Sequence, residues 1–294
     1  MLPNFTIVGA PKAGTTSLYH YLSDHPQVFM STPKEVDFFS CEAIESQGLY
    51  FNDFKVKSFS EYEKLFDSVT NEKAIGEGSV SYLFYPDTPI KIKECLPEIK
   101  IIIMLRDPLS RGFSHYLMDH RLGLVDISYD AIVRQDSEHE KQHLYYQQYV
   151  ELGLYYKQVK RYFDVFGRES VKIYLQEDLQ DNPEKVILDL YGFLEIDHSY
   201  SPDLSRKHNV FSMPKNKLIH KLYGVHTLRR LSSKLFPEHL KKTIKSLLFE
   251  RGRKPVLSTD VRDYLIDIYN EDVLMLEKLI GRDLSSWCQR DQNE

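Results

Sequence analysis

The sequence predicts an α/β fold in which a central parallel sheet is covered by helices on both faces. Short, continuous apolar runs alternate with segments of helical period along most of the chain. Such runs are typical of strands that are buried on both faces of a parallel sheet. The first run also ends in a glycine-containing turn that opens a helix, and no segment has the composition of an interdomain linker. We therefore expect one P-loop-like domain over residues 1–294.

Four apolar runs predict the strands. The first covers residues 5–9, and the clearest covers residues 100–105, which are polar only at the start. Two shorter runs, residues 73–75 and 171–175, complete the predicted sheet. Because ligands of open α/β sheets bind at the carboxyl ends of the strands, we expect the functional residues directly after these runs.

The helices are predicted from their period and from their end signals. Leu18, Tyr21 and Leu22 share one face of a first helix, and prolines in the first turn open two later ones. The last helix is amphipathic and is closed by Gly281. The predicted helices cover residues 17–23, 86–95, 108–120, 143–166, 182–194 and 261–280.

Composition limits the possible functions. The chain has 294 residues, 42% of them hydrophobic, and a net charge of −5, which argues against a nucleic-acid binder or a membrane-surface protein. It shows no signal peptide and no apolar run long enough to span a bilayer, so we expect a cytoplasmic protein. The three cysteines lie far apart without metal-ligand spacing, which predicts reduced thiols and no metal site.

The turn after the first strand has the position of a phosphate-binding loop. Gly9 and Gly14 match half of the P-loop spacing, but two threonines follow Gly14 where that motif has Lys and then Ser or Thr. The lysine lies inside the loop instead, at Lys12. Backbone N–H groups at the start of the following helix favour an anion. A P-loop kinase or nucleoside triphosphatase, and a simple glycine turn with capping threonines, remain alternatives here.

Three ordered motifs carry a family resemblance. Residues 11–18 resemble the 5′-phosphosulfate loop of sulfotransferases that use 3′-phosphoadenosine-5′-phosphosulfate (PAPS). Residues 105–108, followed by Arg111 and Ser114, resemble the 3′-phosphate site of that family. Residues 34–39, Lys-Glu-Val-Asp-Phe-Phe, resemble the segment that carries the general base in the heparan-sulfate-type glycan sulfotransferases. The chain is thus similar to a soluble, bacterial-type form of those enzymes.

The resemblance implies a set of donor-binding residues. Lys12 would stabilise the leaving phosphate, and the loop and the first helical turn would hold the 5′-phosphate. Arg106 and Ser114 would bind the 3′-phosphate, and a weaker match after residue 250 would cover the nucleotide. No metal is required, and the product is adenosine 3′,5′-bisphosphate (PAP). The implied residues are Lys12, Ala13, Gly14, Thr15, Thr16, Ser17, Arg106, Ser114, Arg251, Gly252 and Arg253.

The same resemblance makes Glu35 the candidate general base, with Phe38 and Phe39 expected to keep its surroundings dry. Asp37 stands where heparan-type enzymes can carry histidine, and Gly78 stands where they often have lysine. The candidate acceptor-binding residues are Lys34, Asp37, Glu77, Arg206 and His208.

Several of these residues have structural alternatives. Glu77 is either a group that orients Lys12 or binds the acceptor, or a structural carboxylate at a strand end. Arg106 and Asp107 could form a local ion pair, and Arg111 is expected to be structural or exposed. A histidine base remains possible, although His115 and His120 are expected to be structural or exposed.

The acceptor is expected to be a saccharide or glycan. Residues 34–39 are of the carbohydrate-enzyme type, and 20 tyrosines suit stacking on sugars. Tyrosines between residues 145 and 156 could line a cleft, although core packing is the favoured interpretation. Residues 206–254 contain fourteen Lys and Arg and two acidic residues, which predicts either an anion-binding face or insertion, or a solvated basic surface. Alternatives are a lipid or small-molecule alcohol acceptor, and a non-catalytic protein that binds a bisphosphate nucleotide.

Overall fold

The centre of the protein is a five-stranded sheet in which every pair of neighbouring strands is parallel. The strand order is β2-β3-β1-β4-β5. The strands are β1 (Phe5–Gly9), β2 (Val28–Met30), β3 (Ala74–Gly78), β4 (Lys100–Leu105) and β5 (Val171–Leu175). The computed structural model describes residues 1–49, 54, 56–204, 213–214, 249–250 and 255–290.

Helices flank this sheet. Five residues of β4, from Ile101 to Leu105, are fully buried, which requires cover on both faces because successive side chains of a strand point to opposite sides. The predicted α/β architecture is therefore confirmed. The helices are α1 (Thr15–Ser23), α2 (Cys41–Ser46), α3 (Phe59–Lys64), α4 (Thr88–Cys95), α5 (Pro108–Arg121), α6 (Tyr129–Arg134), α7 (Gln142–Tyr149), α8 (Tyr155–Phe166), α9 (Gln176–Asp181), α10 (Pro183–Leu194) and α11 (Thr259–Ile280). Residues Met213–Pro214 and Phe249–Glu250 form a separate antiparallel pair.

The register of the sheet brings three loops to one edge. Ile7 of β1 is level with Gly78 of β3 on one side and with Ile102 of β4 on the other. The residues that follow β1, β3 and β4 therefore leave the sheet at the same end. This is the edge at which open parallel sheets bind ligands.

Strand β2 is absent from the sequence prediction. It has only three residues, Val28–Met30, and pairs with β3 at the edge of the sheet. A three-residue run carries too little pattern to be distinguished from a loop. The strand matters because the chain leaves it directly into residues 31–37, which include the candidate base.

The long helix predicted over residues 143–166 is wrong in its middle. The chain forms α7, then a 3₁₀ turn at Glu151–Gly153, and then α8. A Cβ at Gly153 would lie 2.9 Å from the Tyr269 hydroxyl of α11, which donates a hydrogen bond to the Val150 carbonyl at 2.8 Å. The break therefore lets α11 pack closely against this turn. Core packing is confirmed for the fully or almost fully buried Tyr145, Tyr149 and Tyr155.

Helix α5 begins where the sequence predicts it. Pro108 occupies its first turn, and the Asp107 carboxylate accepts hydrogen bonds from the N–H groups of Leu109 and Ser110 at 3.1 and 3.2 Å. Asp107 is thus the N-cap of α5. Its carboxylate holds the helix that starts immediately after Arg106.

A close helix contact on α5 gives a stability prediction. A Cβ on Gly112 would lie 2.1 Å from the Tyr149 carbonyl oxygen, whereas a Cβ on Gly192 of α10 would meet only His198 at 3.4 Å. Because backbone cannot move aside as a side chain can, Gly112→Ala is expected to lower the free energy of unfolding by about 1–3 kcal/mol or more. Chemical denaturation of the two variants measures the difference. Equal stability for Gly112→Ala and the control Gly192→Ala would contradict the contact.

Candidate active site

The loop between β1 and α1 presents a lysine and a set of backbone donors at the binding edge. Lys12 and Gly14 both have left-handed backbone conformations, with φ of 68° and 95°. Gly14 is the N-cap of α1 and brings no capping side chain. The Ser17 N–H bonds to the Gly14 carbonyl at 3.0 Å, which leaves the amides of Thr15 and Thr16 in the first turn to a ligand. Thr15, Thr16 and Ser17 form that first turn. The loop therefore has the geometry of an anion site.

The Lys12 side chain turns toward α5. Its ammonium donates to the Met118 sulfur at 3.2 Å and interacts electrostatically with four further side chains, those of Asp119, Arg121, Arg106 and Glu35. Burial lowers the pKa of Lys12 to about 8, and the nearby Asp119 carboxylate opposes that shift. A lysine poised in this way gains from any anion that binds beside it.

Arg106 follows β4 and lies against the loop. Its guanidinium donates to the Lys12 carbonyl at 3.1 Å, and its own carbonyl accepts from the Tyr155 hydroxyl at 3.0 Å. The Asp107 carboxylate caps α5 and also interacts electrostatically with the Arg106 guanidinium. Burial lowers the pKa of Arg106. Ser114 lies two turns along α5 and is half-buried.

Two side chains of α5 have structural roles, as the sequence predicts. Arg111 is fully buried and donates to the carbonyls of Gln148 and Tyr149 at 3.0 and 2.8 Å. His115 is also buried, and desolvation, with help from Arg111 and Lys12, holds its pKa well below the usual value. Its ring nitrogen is 3.2 Å from the Gln148 carbonyl. Both residues thereby fasten α5 to the end of α7.

Residues 34–37 lie beside the Lys12 loop. Glu35 donates its backbone N–H to the Gly78 carbonyl at 2.9 Å, and its carboxylate pairs with the Lys34 ammonium at 2.5 Å. The side chain is 49% exposed, so it faces open space and not the dry surroundings expected from the sequence. Phe38 and Phe39 pack instead on Tyr62, at centroid distances of 5.0 and 5.2 Å.

Two further carboxyls lie at the end of this segment and beneath it. Glu77 at the end of β3 is 0% exposed, and burial raises its pKa to about 7. Asp37 is half-buried, and desolvation raises its pKa to about 6, although the Ser81 hydroxyl donates to it at 2.5 Å. The Ser79 hydroxyl donates to Glu77 at 2.8 Å. Each carboxyl thus accepts a serine hydroxyl, and the Ser79 oxygen in turn accepts the backbone N–H of Asp37 at 3.0 Å, which links Glu77 to the backbone of that residue.

Comparison with known proteins identifies the family. The sulfotransferase domain matches residues 2–246 of the chain. The chain belongs to the sulfotransferase family. A crystal structure of a sulfotransferase from Alicyclobacillus acidocaldarius is 34% identical, with a TM-score of 0.73 over 98% of this chain and 100% of that one. The sulfotransferase domain of the curacin biosynthetic pathway shares the fold at 15% identity and a TM-score of 0.52.

Curated relatives of this chain are longer proteins. The membrane-associated sulfotransferase kil1 of Dictyostelium discoideum is 23% identical over 80% of this chain and 64% of its own length. The human bifunctional heparan sulfate N-deacetylase/N-sulfotransferase 3 is 25% identical over 99% of this chain and 31% of its own length. The predicted resemblance to heparan-sulfate-type enzymes is confirmed at the level of family.

The structure of the sulfotransferase brings most of the predicted site residues together. The loop from Lys12 to Ser17 and the Arg106 side chain share one edge with the segment from Lys34 to Asp37, and Glu77 lies beneath that segment. The predicted residues Arg206, His208, Arg251, Gly252 and Arg253, and most of the basic segment 206–254, lie outside the described residues. Their roles stay predictions, as do the single-domain boundary and the cytoplasmic location.

Sequence reasoning missed the side chains that meet Lys12 from α5. Met118 and Asp119 lie four and five positions after Ser114, and Arg121 ends the helix. The position of Met118 could have been predicted, because residues four apart share one face of a helix and Ser114 was already expected to face the donor. It also missed the hydroxyl groups of Ser79 and Ser81, whose roles depend on contacts between distant segments.

Within the described ranges, no three His, Cys, Asp or Glu side chains are grouped so that they could hold a metal ion. Across the same part of the chain, the helices are too short or too polar to cross a bilayer.

Proposed function

We propose that this sulfotransferase moves the sulfuryl group of PAPS to a hydroxyl group of a saccharide or glycan, with Glu35 as general base and Lys12 at the leaving phosphate. The observation that carries the proposal is that Lys12 and Glu35, on different loops at the binding edge of the sheet, are near enough for the Glu35 charge to act on the Lys12 ammonium. One group is a cation in the anion-binding loop, and the other is a half-exposed carboxylate. The two roles of an in-line transfer therefore have candidates on two neighbouring loops.

The residues present fit a donor with two separate phosphate groups. The amides at the start of α1, with Thr15, Thr16 and Ser17, form one cradle, because Gly14 adds no side chain over them. The Arg106 guanidinium, on the neighbouring strand, would hold the 3′-phosphate, with Ser114 as a hydroxyl donor. A guanidinium binds two phosphate oxygens at once. Its bond to the Lys12 carbonyl keeps it close to the loop.

Lys12 supplies charge where the reaction needs it. When bound, PAPS supplies a sulfuryl group on a phosphate leaving group. The acceptor oxygen forms a bond to sulfur while the bond from sulfur to the bridging oxygen breaks, and PAP keeps that oxygen and its electron pair. The Lys12 ammonium would meet the negative charge that develops there. A preorganised cation in a partly buried loop stabilises such charge far better than water does.

Glu35 would remove the proton of the acceptor hydroxyl. Its carboxylate is accessible, and the Lys34 ammonium at 2.5 Å holds it in place. General bases of this kind act within hydrogen-bond reach of the acceptor oxygen. The proton leaves the oxygen as the new bond to sulfur forms, so charge on the acceptor stays low. Asp37 is the runner-up, since it lies two residues away.

The acceptor class is supported by the relatives and by residues 34–39, the segment that contains the candidate base Glu35 and is called the base segment below. The human relative is named as a heparan sulfate enzyme, and residues 34–39 resemble the corresponding segment of glycan sulfotransferases. A lipid or small-molecule alcohol is the alternative acceptor. The alternative of a P-loop kinase is disfavoured, because Lys12 precedes Gly14 instead of following it.

A transfer assay tests the proposed function. Radiolabelled sulfate from PAPS is offered without metal to a panel of oligosaccharides, amino sugars, glycolipids and phenols. Label on a saccharide hydroxyl is the expected result. Label on the amino group, the lipid or the phenol would show that the acceptor class is wrong, while PAPS would remain the donor. Stabilisation by magnesium-ATP with no transfer to any acceptor would overturn the proposal.

The 3′-phosphate site gives a separate prediction. Arg106→Ala is expected to weaken PAP binding by roughly ten- to hundredfold, the range for a lost hydrogen bond to a charged group. It should also remove the preference for PAP over adenosine 5′-phosphate. Thermal shift measures both, since a ligand stabilises the folded protein by RT ln(1 + [L]/Kd). The matched control is Arg290→Ala, which removes an exposed arginine that pairs with Asp267. An unchanged preference in Arg106→Ala would place the 3′-phosphate elsewhere.

A further inference from the structure

Glu77 is a buried carboxyl group that the proposed reaction does not use. It is the last residue but one of β3, beside the central strand, and has no exposed surface. The ionisable groups that face it are four tyrosines and one carboxyl, which gives it no opposite charge within this set. They are Tyr19, Tyr62, Tyr82, Tyr162 and Asp37. Burying a carboxyl without a cation costs free energy, so a compensating function is expected at this position.

The contacts of Glu77 lead to the backbone of the base segment. Its carboxylate accepts a hydrogen bond from the Ser79 hydroxyl, with 2.8 Å between the two oxygens. The oxygen of that hydroxyl accepts the N–H of Asp37 at 3.0 Å. One residue before Ser79, the Gly78 carbonyl accepts the N–H of Glu35 at 2.9 Å. The end of β3 therefore holds residues 35–37 at two points.

The base segment needs such an external hold. Glu35 and Asp37 have φ angles of 62° and 55°, the left-handed region that side-chain-bearing residues rarely adopt. Such a conformation costs free energy for a residue with a side chain, and it persists only where the surroundings fix it. A serine hydroxyl has one proton. Because the Ser79 hydroxyl donates its hydrogen bond to Glu77, its oxygen lone pairs are oriented to accept the hydrogen bond from the Asp37 N–H.

We propose that Glu77 is a positioning residue, which acts through the Ser79 hydroxyl to fix the backbone of residues 35–37 and thereby the Glu35 carboxylate beside Lys12. This inference rests on the proposed role of Glu35 as the base. It replaces a direct contact of Glu77 with the acceptor, because a side chain without exposed surface does not reach one. It also explains why glutamate stands here: an acceptor is needed, and a shorter or apolar side chain does not supply it.

The test compares four variants in the full-length protein. Ser79→Ala removes the connecting hydroxyl, and Glu77→Leu removes its acceptor. Glu77→Gln keeps an acceptor oxygen of the same length and is the conservative rescue. Ser31→Ala is the matched control, since Ser31 is equally buried and its hydroxyl has no hydrogen-bond partner within the described ranges.

The expected result is a loss confined to the base segment. Ser79→Ala is expected to lower kcat by about three- to tenfold, as for one lost hydrogen bond, with an unchanged KM for PAPS and an unchanged thermal shift by PAP. Glu77→Gln should stay within about twofold of the parent. Hydrogen–deuterium exchange of the peptide covering residues 34–38 should be faster in Ser79→Ala and unchanged in Ser31→Ala. If Glu77→Leu does not fold, Ser79→Ala and Glu77→Gln still decide the matter.

Two results would overturn the inference. One is unchanged exchange at residues 34–38 in Ser79→Ala. The other is a loss in Glu77→Gln as large as that in Glu35→Gln, together with loss of the acid limb of the pH profile, which would make Glu77 the base itself. Hydrogen–deuterium exchange does not depend on the reaction. If the protein transfers no sulfate but exchange at residues 34–38 is faster in Ser79→Ala, the positioning role of Glu77 and Ser79 stands and only the proposed function is rejected.

Discussion

Lys12→Ala is expected to lower the turnover of sulfate transfer by at least ~10²-fold, the usual loss when a preorganised charge at a developing anion is removed. The protein should remain folded, because burial already disfavours the ammonium form of Lys12, whose pKa is lowered to about 8. A lysine whose pKa is lowered from 10.5 to about 8 costs stability as pH falls between those two values, and the full cost is present below about 8, so removing it does not weaken the fold. Single-turnover kinetics with PAPS, together with a melting curve, measure both effects.

The pH dependence of the same variant series provides a sharper readout. The free enzyme loses the Lys12 ammonium as pH rises past about 8, so kcat/KM for PAPS is expected to fall on the alkaline side. Lys12→Arg should shift that limb upward, since arginine stays protonated. Lys160→Ala, which removes an exposed lysine paired with Asp164 on α8, is the control. Near-normal turnover in Lys12→Ala would remove this residue from the reaction.

Glu35→Gln is the second substitution that is expected to have a large effect on turnover. The substitution keeps the shape of the side chain but removes the proton acceptor, so turnover is expected to fall by at least ~10²-fold. Binding of PAP, measured by thermal shift, should stay unchanged, because the donor cradle lies on α1 and β4.

The control for this variant is another lysine–glutamate pair. Glu42→Gln breaks the exposed pair between Glu42 and Lys91, at 2.9 Å, in the same way that Glu35→Gln weakens the pair with Lys34. Surface pairs of this kind contribute little, so the control is expected to retain full activity. If Glu35→Gln also retains it, Asp37 becomes the first candidate for the base.

Much of the fold could be predicted from local pattern. Residues 100–105 form a buried strand wherever they pack, because a run of that hydrophobicity has no stable exposed form. Proline in the first turn located the starts of α5 and α10. Strand β2 could not be predicted, because its three residues are held by pairing with β3 and not by their own pattern. The break after α7 depends likewise on a contact with Tyr269, 116 or more positions away.

The site divides in the same way. Lys12 and Gly14 were recognisable because a phosphate-binding loop is a local device: a strand, a turn with left-handed residues, and a helix start. Glu35 was recognisable only through its resemblance to a family segment, and its expected dry surroundings were wrong, since Phe38 and Phe39 pack on Tyr62. Met118, beside the Lys12 ammonium, was missed although its position on the face of Ser114 is readable.

The sequence by itself determined the α/β class, the anion-binding loop and the family resemblance, because each depends on residues that are close together in the chain. Only the tertiary structure decided which groups share a space. It placed Glu35 beside Lys12, put Met118 against the ammonium, and buried Glu77 beneath the base segment with Ser79 between them. The physical reason is that hydrogen bonds and desolvation depend on distance in space, and the parallel sheet sets those distances by aligning the ends of β1, β3 and β4.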